Sequence, residues 1–127
     1  MKTNKINYDN RYFRTLSNSA SGEVSLETVF HYRQIDDVVW ATYAGGGIKL
    51  GTLAAKVLAA GELEMRYNHV NQNDELMTGE CCSTPEVLPD GRIRLYEKWH
   101  WTCANFERGE SIVEEIERSE IDPNRYS

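Results

Sequence analysis

The stretch that decides the fold is Glu86-Val87-Leu88-Pro89-Asp90-Gly91-Arg92-Ile93-Arg94, in which apolar and charged residues alternate around a Pro-Asp-Gly turn. A three-residue loop that ends on a left-handed glycine joins two antiparallel strands and determines which residues face each other. With residues 89–91 as that loop, Val87 opposes Ile93 and Glu86 opposes Arg94. A shift by one residue would set apolar against charged side chains on both faces, so the first register is favoured.

Two further turns have the same form, at residues 59–61 and at residues 72–74. Each lies between segments that alternate in the same way, and the second turn opposes His69 to Met77. The three loops agree on one inner face, because each assigns the same alternate residues of the shared strands to the same side. The register of the middle of the chain is therefore predicted from its turns alone.

Evenly spaced turns with short alternating strands between them are typical of an antiparallel meander. We expect an all-β fold, an eight-stranded antiparallel up-and-down barrel. Segment 53–60 is Ala-rich and would also suit a helix, and segment 111–118 is either a strand or a helix that a capping box opens. The strand candidates are 11–19, 24–33, 38–44, 48–58, 62–70, 75–88, 92–103 and 111–118.

Large aromatic residues dominate the predicted inner face, with small residues such as Gly51 and Gly79 among them. In a narrow barrel this mixture lets side chains fill the interior, which would make the protein a structural or oligomerisation module. It equally suits an aromatic-lined cavity for a small apolar or planar ligand. The Gly-rich turn at 45–47 can close in more than one way, so the facing of the strand before it is open. The candidate ligand-binding residues are Trp40, Tyr67, His69, Glu97, Trp99 and Trp101.

Glu97 lies between Leu95 and Trp99 on the inner face, where a carboxylate must be paired or hydrogen-bonded. A buried carboxylate near Trp can have a raised pKa and act as a general acid, so Glu97 is the candidate catalytic residue of an enzymatic alternative. The other interpretation is a structural carboxylate tied to an Arg, a Tyr or a backbone amide. His69 lies roughly 20 Å away along the sheet at ~3.3 Å per residue, so we expect no catalytic pair.

The bulk properties indicate one domain, residues 1–127, with loose termini at 1–9 and 119–127. A net charge of −6 disfavours nucleic acid and anionic membranes as partners. No apolar run approaches the ~18 residues of a membrane span, and we expect a cytoplasmic protein. The three cysteines do not have the spacing of a metal site, so we predict reduced structural thiols, no metal and no cofactor.

Ile48, Leu50, Val70 and Leu76 form an apolar strip on the predicted outer face, where the rest of the exterior carries charge pairs. A contiguous strip across three strands indicates a contact surface, and a symmetric homodimer is the commonest soluble assembly. The alternative is that a terminal segment of the same chain folds over the strip.

Several motifs resemble those of a family of small, uncharacterised bacterial proteins, among them Arg66-Tyr67-Asn68-His69-Val70-Asn71 and Glu97-Lys98-Trp99-His100-Trp101-Thr102. Some members carry the name N-acetylglutamate synthase. By architecture the chain is also similar to the calycin barrels, the group of lipocalins, fatty-acid binders and avidin-like proteins. The synthase name implies acetyl-CoA, whose pyrophosphate is usually held by a Gly-rich loop that opens a helix. Residues 45–47 join two predicted strands instead, so we do not expect that activity.

Overall fold

The structure, a computed structural model, describes residues 6–117, which form eight antiparallel strands closed into a barrel. Each strand pairs with the next, and the last pairs with the first, which confirms the predicted up-and-down topology. Both ambiguous segments are strands, since 53–57 and 111–116 lie within strands. Residues 1–5 and 119–127 of the predicted loose termini lie outside the described residues. The strands are β1 (Arg11–Asn18), β2 (Val29–Ile35), β3 (Val38–Gly45), β4 (Ile48–Val57), β5 (Leu63–Asn71), β6 (Leu76–Val87), β7 (Ile93–Trp101) and β8 (Arg108–Ile116).

The three turns that predicted the register have the expected form. At the β6–β7 turn the N–H of Gly91 donates to the carbonyl oxygen of Leu88 at 2.9 Å, and the N–H of Leu88 donates to that of Arg92 at 2.8 Å. Gly91 has a φ of +92°, and the other two loops end on Gly61 (φ +87°) and Asp74 (φ +62°). All the cross-strand pairs predicted from these loops are present.

Within the described residues there is no helix long and apolar enough to cross a membrane.

The β1–β2 connection is longer than predicted, because the strand expected at 24–33 begins only at Val29. Val29 pairs with Arg14, so the second half of β1 has β8 as its strand partner and not β2. Residues 19–28 form a loop that we call the covering loop. It passes over one end of the barrel, where the indole N–H of Trp101 donates to the carbonyl oxygen of Ser21 at 3.1 Å.

The segment before β1 closes the opposite end of the barrel. Tyr8 is 0% exposed, and its ring centroid lies 6.2 Å from that of Tyr32. The Tyr8 hydroxyl donates to the carbonyl oxygen of Gly61 at 2.6 Å. The prediction of a loose N-terminus is therefore wrong for residues 6–9, since apolar and hydrogen-bonding contacts both hold them.

Trp40 lies on the outer face of the barrel, so its predicted place in the interior is wrong. Val39 and Ala41 on either side of it are buried, and alternation along a strand turns Trp40 outward. The guanidinium carbon of Arg33 lies 6.0 Å from the centre of the Trp40 ring. A bulge near the end of β3 shifts its register with β4. This register could not be predicted, because the glycines of the β3–β4 turn can close in more than one way.

Ile48 lies inside the barrel, so its predicted place in the outer apolar strip is also wrong. A bulge between Ile48 and Leu50 adds Lys49 to β4 and reverses the facing of the first residue. Ile48 is 1% exposed, whereas Leu50 is 58% exposed. The outer apolar strip consequently consists of Leu50, Val70 and Leu76.

Inward-facing glycines make room for the aromatic rings of their cross-strand partners on the neighbouring strands. A Cβ atom on Gly51 would lie closer than 3.0 Å to the ring of Tyr43, which is nearer than ordinary packing allows. Glycine inside a strand commonly marks such a close approach. Two further glycines are covered in the same way, Gly79 by Tyr67 and Gly109 by Trp99.

We predict that Gly51→Ala destabilises the barrel by about 1–3 kcal/mol, because the new methyl group must displace the Tyr43 ring in a packed interior. Urea unfolding followed by tryptophan fluorescence measures the change. Thr52→Ala, on the outer face of the same strand, is the control and should cost less than about 1 kcal/mol. Equal stabilities for Gly51→Ala and the wild type would show that the ring is not held against the strand.

Candidate functional site

A cavity of about 50 Å³ lies inside the barrel beneath the covering loop. That volume holds about three to five water molecules. Trp40 is not in its lining, in keeping with its outward position. The other predicted ligand-binding residues all line it, namely Tyr67, His69, Glu97, Trp99 and Trp101. Their binding role stays a prediction.

Trp101 is at the centre of the aromatic wall of this cavity. Its ring centroid lies 5.5 Å from that of Trp99, 5.9 Å from that of Tyr67 and 5.8 Å from that of His69. The planes are inclined by 58° to 79°, so the rings meet edge to face and do not stack in parallel. Both indole N–H groups are satisfied, that of Trp99 by the Oδ1 atom of Asn18 at 3.1 Å. The polar edges of the tryptophans are thereby held in place.

The carboxyl group of Glu97 reaches this cavity from β7. Its Oε1 atom accepts a hydrogen bond from the Ser111 hydroxyl at 2.8 Å, and its Oε2 atom accepts one from the Ser83 hydroxyl at 3.2 Å. Burial raises the pKa of Glu97 to about 7, and the two hydroxyls oppose that shift. The predicted hydrogen bonding is confirmed, with serine hydroxyls as partners in place of an Arg, a Tyr or a backbone amide.

His69 is a fully packed histidine with a partner at each ring nitrogen. Its Nε2 atom lies 2.8 Å from the Oε1 atom of Glu23, and its Nδ1 atom lies 3.0 Å from the Tyr43 hydroxyl oxygen. Burial lowers the pKa of His69, although the hydrogen bond to Glu23 opposes that shift. At neutral pH the ring is uncharged, so Nε2–H donates to Glu23 and the Tyr43 hydroxyl donates to Nδ1.

Glu23 is the site residue that sequence reasoning missed. Its carboxylate also accepts hydrogen bonds from the Nδ2 atom of Asn71, at 3.2 and 3.3 Å, so it fastens the covering loop to β5. The contact joins a loop residue to a distant strand, which alternation along strands does not reveal. The strands predicted at 11–19 and 24–33 left only residues 20–23 between them, so the strand pattern did not reveal a loop that reaches β5.

The cysteines do not add a reactive group to the cavity. All three are free, and Cys81 lines the cavity wall. Burial raises the pKa of the Cys81 thiol, so it is protonated at neutral pH and is neither a ready nucleophile nor a ready metal ligand. Within residues 6–117 no group of three or more His, Cys, Asp or Glu side chains is placed to hold a metal ion.

Comparison with known protein families agrees with this geometry. The family model described as avidin-like protein matches residues 6–116. The chain belongs to the avidin-like protein family. No curated protein and no solved structure matches it significantly.

Membership in the avidin-like family confirms the calycin-type architecture that the sequence predicted. A barrel of this family is a ligand-binding fold, yet a fold does not define its ligand. The family match assigns no ligand to this avidin-like barrel, so the residues of its own cavity are the basis for any proposal about binding. Its distinctive combination is a carboxyl group held by two hydroxyls, a neutral histidine and a wall of inclined aromatic rings.

Because the folded state raises the pKa of Glu97 from about 4.5 to about 7, Glu97 contributes stability at low pH that is lost as the pH rises through 7. We predict that Glu97→Gln has nearly the stability of the wild type at pH 5 and exceeds it by about 2–3 kcal/mol at pH 8. Urea unfolding of both proteins between pH 5 and pH 8 measures the difference in their stabilities. The titration of His69 affects both proteins equally and so does not contribute to this difference.

The control for this prediction is Glu107→Gln, which removes the same charge from an exposed loop position. It should show no such dependence on pH relative to the wild type. A Glu97→Gln protein that is less stable than the wild type at pH 8 would mean that the barrel stabilises the ionised carboxylate.

Proposed function

We propose that this avidin-like barrel binds a small apolar or planar molecule in the cavity beneath the covering loop. The observation that carries the proposal is the lining itself, in which aromatic rings accompany two carboxyl groups, that of Glu97 on β7 and that of Glu23 on the covering loop. Ligand sites typically combine apolar walls with a few polar groups that orient the ligand. Glu97 is such a group, since Ser83 and Ser111 hold its carboxyl group in one position.

The size of the cavity limits the ligand. Its volume of about 50 Å³ is well below the roughly 300–1,000 Å³ of ordinary ligand pockets. A ligand of a few non-hydrogen atoms fits without rearrangement, and a larger one requires the covering loop to move. The same volume supports the alternative of a structural module whose barrel is filled by its own side chains.

A thermal-shift screen separates these two functions. At about 100 times its Kd, a ligand of the native state adds about 2.7 kcal/mol of stability, which raises the Tm of a domain of this size by several degrees. We expect small planar compounds to raise the Tm in this way. The screen should also include acetyl-CoA and glutamate. A barrel that is only a structural module would respond to no compound.

A matched pair of tryptophan variants locates the site of any ligand found. Trp99→Leu removes a ring of the cavity wall and should weaken the shift, whereas Trp40→Leu removes an outward ring and should preserve it. Equal responses of the two variants would place the ligand outside the cavity.

As a second candidate function we propose an enzyme that uses Glu97 as its acid or base. The specific observation is that the pKa of Glu97 is raised to about 7, the range in which proton transfer at neutral pH is most efficient. Turnover of any compound found in the screen, abolished in Glu97→Gln while binding remains, would support this candidate. Binding without turnover would support the first.

We further propose that the barrel forms a homodimer through the outer apolar strip of Leu50, Val70 and Leu76. Leu50 and Leu76 are 58% and 66% exposed, and both pair with Val70 across neighbouring strands. Three adjacent apolar side chains on one sheet face form a contiguous patch of the kind that contact surfaces use.

We predict that light scattering at micromolar concentration gives a dimer for the wild type and a monomer for Val70→Asp, because the carboxylate would be buried at the contact. Asn68→Asp adds the same charge at an exposed outer position of the same strand and should stay dimeric. A monomeric wild type would refute the dimer.

A further inference from the structure

The charge of the cavity lining has one sign. Glu97 lines it from β7 and Glu23 from the covering loop, and among the residues of 6–117 that line it there is no Lys or Arg. His69 adds no positive charge at neutral pH, because burial lowers its pKa. The net charge of −6 for the whole chain acts in the same direction. Inside the barrel, the titratable groups that interact with Glu97 are Tyr32, Tyr43, Tyr67 and Cys81, all kept protonated by raised pKa values. On its other side Glu97 shares a surface groove with Tyr96, Lys98 and Glu110.

The walls of the cavity suit a positive charge as well. Trp99, Trp101 and Tyr67 line it with their planes inclined to one another. The face of an aromatic ring carries negative partial charge and attracts an organic cation within about 6 Å of the ring centre. An anion would meet these faces and both carboxylates unfavourably.

Glu97 keeps hydrogen-bonding capacity for a ligand. An ionised carboxylate offers about four acceptor sites, and Ser83 and Ser111 each occupy one. The remaining sites, one on each oxygen, match the paired N–H groups of a planar amidinium or guanidinium ion. Glu97 is partly exposed and belongs to the lining of the cavity.

We propose that the ligand of this cavity is a small organic cation with planar N–H donors, of the amidinium or guanidinium type. Glu97 is its counter-ion, and the aromatic rings of the barrel are its walls. The inference rests on the proposed ligand-binding function and adds the charge and the hydrogen-bonding pattern of the ligand. A cation of the size of methylguanidinium suits a cavity of about 50 Å³.

The test compares methylguanidinium with N-methylurea, a neutral molecule of nearly the same shape, by NMR titration of the whole protein at pH 8. We expect the wild type to bind methylguanidinium at least about tenfold more tightly than N-methylurea, because only the cation forms a charge-assisted hydrogen-bonded pair with Glu97. Glu97→Gln should abolish the preference. Glu107→Gln, which removes an acid from an exposed loop, should keep it.

A pH profile of the wild type tests the proposal without any variant. Since the pKa of Glu97 lies near 7, the fraction of ionised Glu97 increases severalfold between pH 6 and pH 8. The affinity for methylguanidinium should rise with it by about five- to tenfold, because the cation binds the ionised form. The affinity for N-methylurea should not rise.

Each other outcome has a definite meaning. Equal binding of N-methylurea, or binding of the cation that Glu97→Gln leaves unchanged, overturns the inference. The inference is also overturned if neutral or anionic compounds bind in the cavity in a thermal-shift screen and methylguanidinium does not. In that case the proposed ligand-binding function is still supported. If no compound of any charge binds, both the inference and the proposed ligand-binding function are refuted.

Discussion

The interior of an eight-stranded barrel is just wide enough for the side chains that point into it, and this constraint governs the whole molecule. A large ring can lie flat over the neighbouring strand where its cross-strand partner is a glycine, as Tyr43 does over Gly51 and Trp99 over Gly109. The rings consume most of the space and leave about 50 Å³. A polar group that faces so small a space needs a partner in the wall, and Glu97 has two.

Most of the barrel was predictable because its hairpins are local. A three-residue turn determines the register of both strands it joins, so residues 59–61, 72–74 and 89–91 defined the pairing of four strands. The errors at Trp40 and Ile48 have one origin, the β3–β4 hairpin. Bulges flank it on both sides, and each adds a residue that reverses the facing of its neighbours. The consecutive glycines of that turn permit several backbone paths, so no register could be preferred.

The candidate site was predictable to the extent that it follows strand alternation. Tyr67, Trp99 and Trp101 are inward residues of regular strands, and their positions were derived from the turns. The partners of the polar groups were not. Ser111 pairs with Glu97 across β7 and β8, whose connection contains two non-glycine residues of positive φ, Ala104 and Phe106. Glu23 belongs to the covering loop, whose path depends on contacts with distant strands.

The closed end of the barrel has a consequence for how the cavity exchanges its contents. Tyr8 is fully buried at that end, whereas Gly22, Glu23 and Val24 of the covering loop line the cavity toward the other end. Ser21 and Glu23 fasten this loop to Trp101 and His69. These hydrogen bonds hold in place the part of the loop that lines the cavity. A ligand of the proposed kind that passes beneath this loop would have a residence time set by how often the loop opens, so that even a weakly held molecule would dissociate slowly.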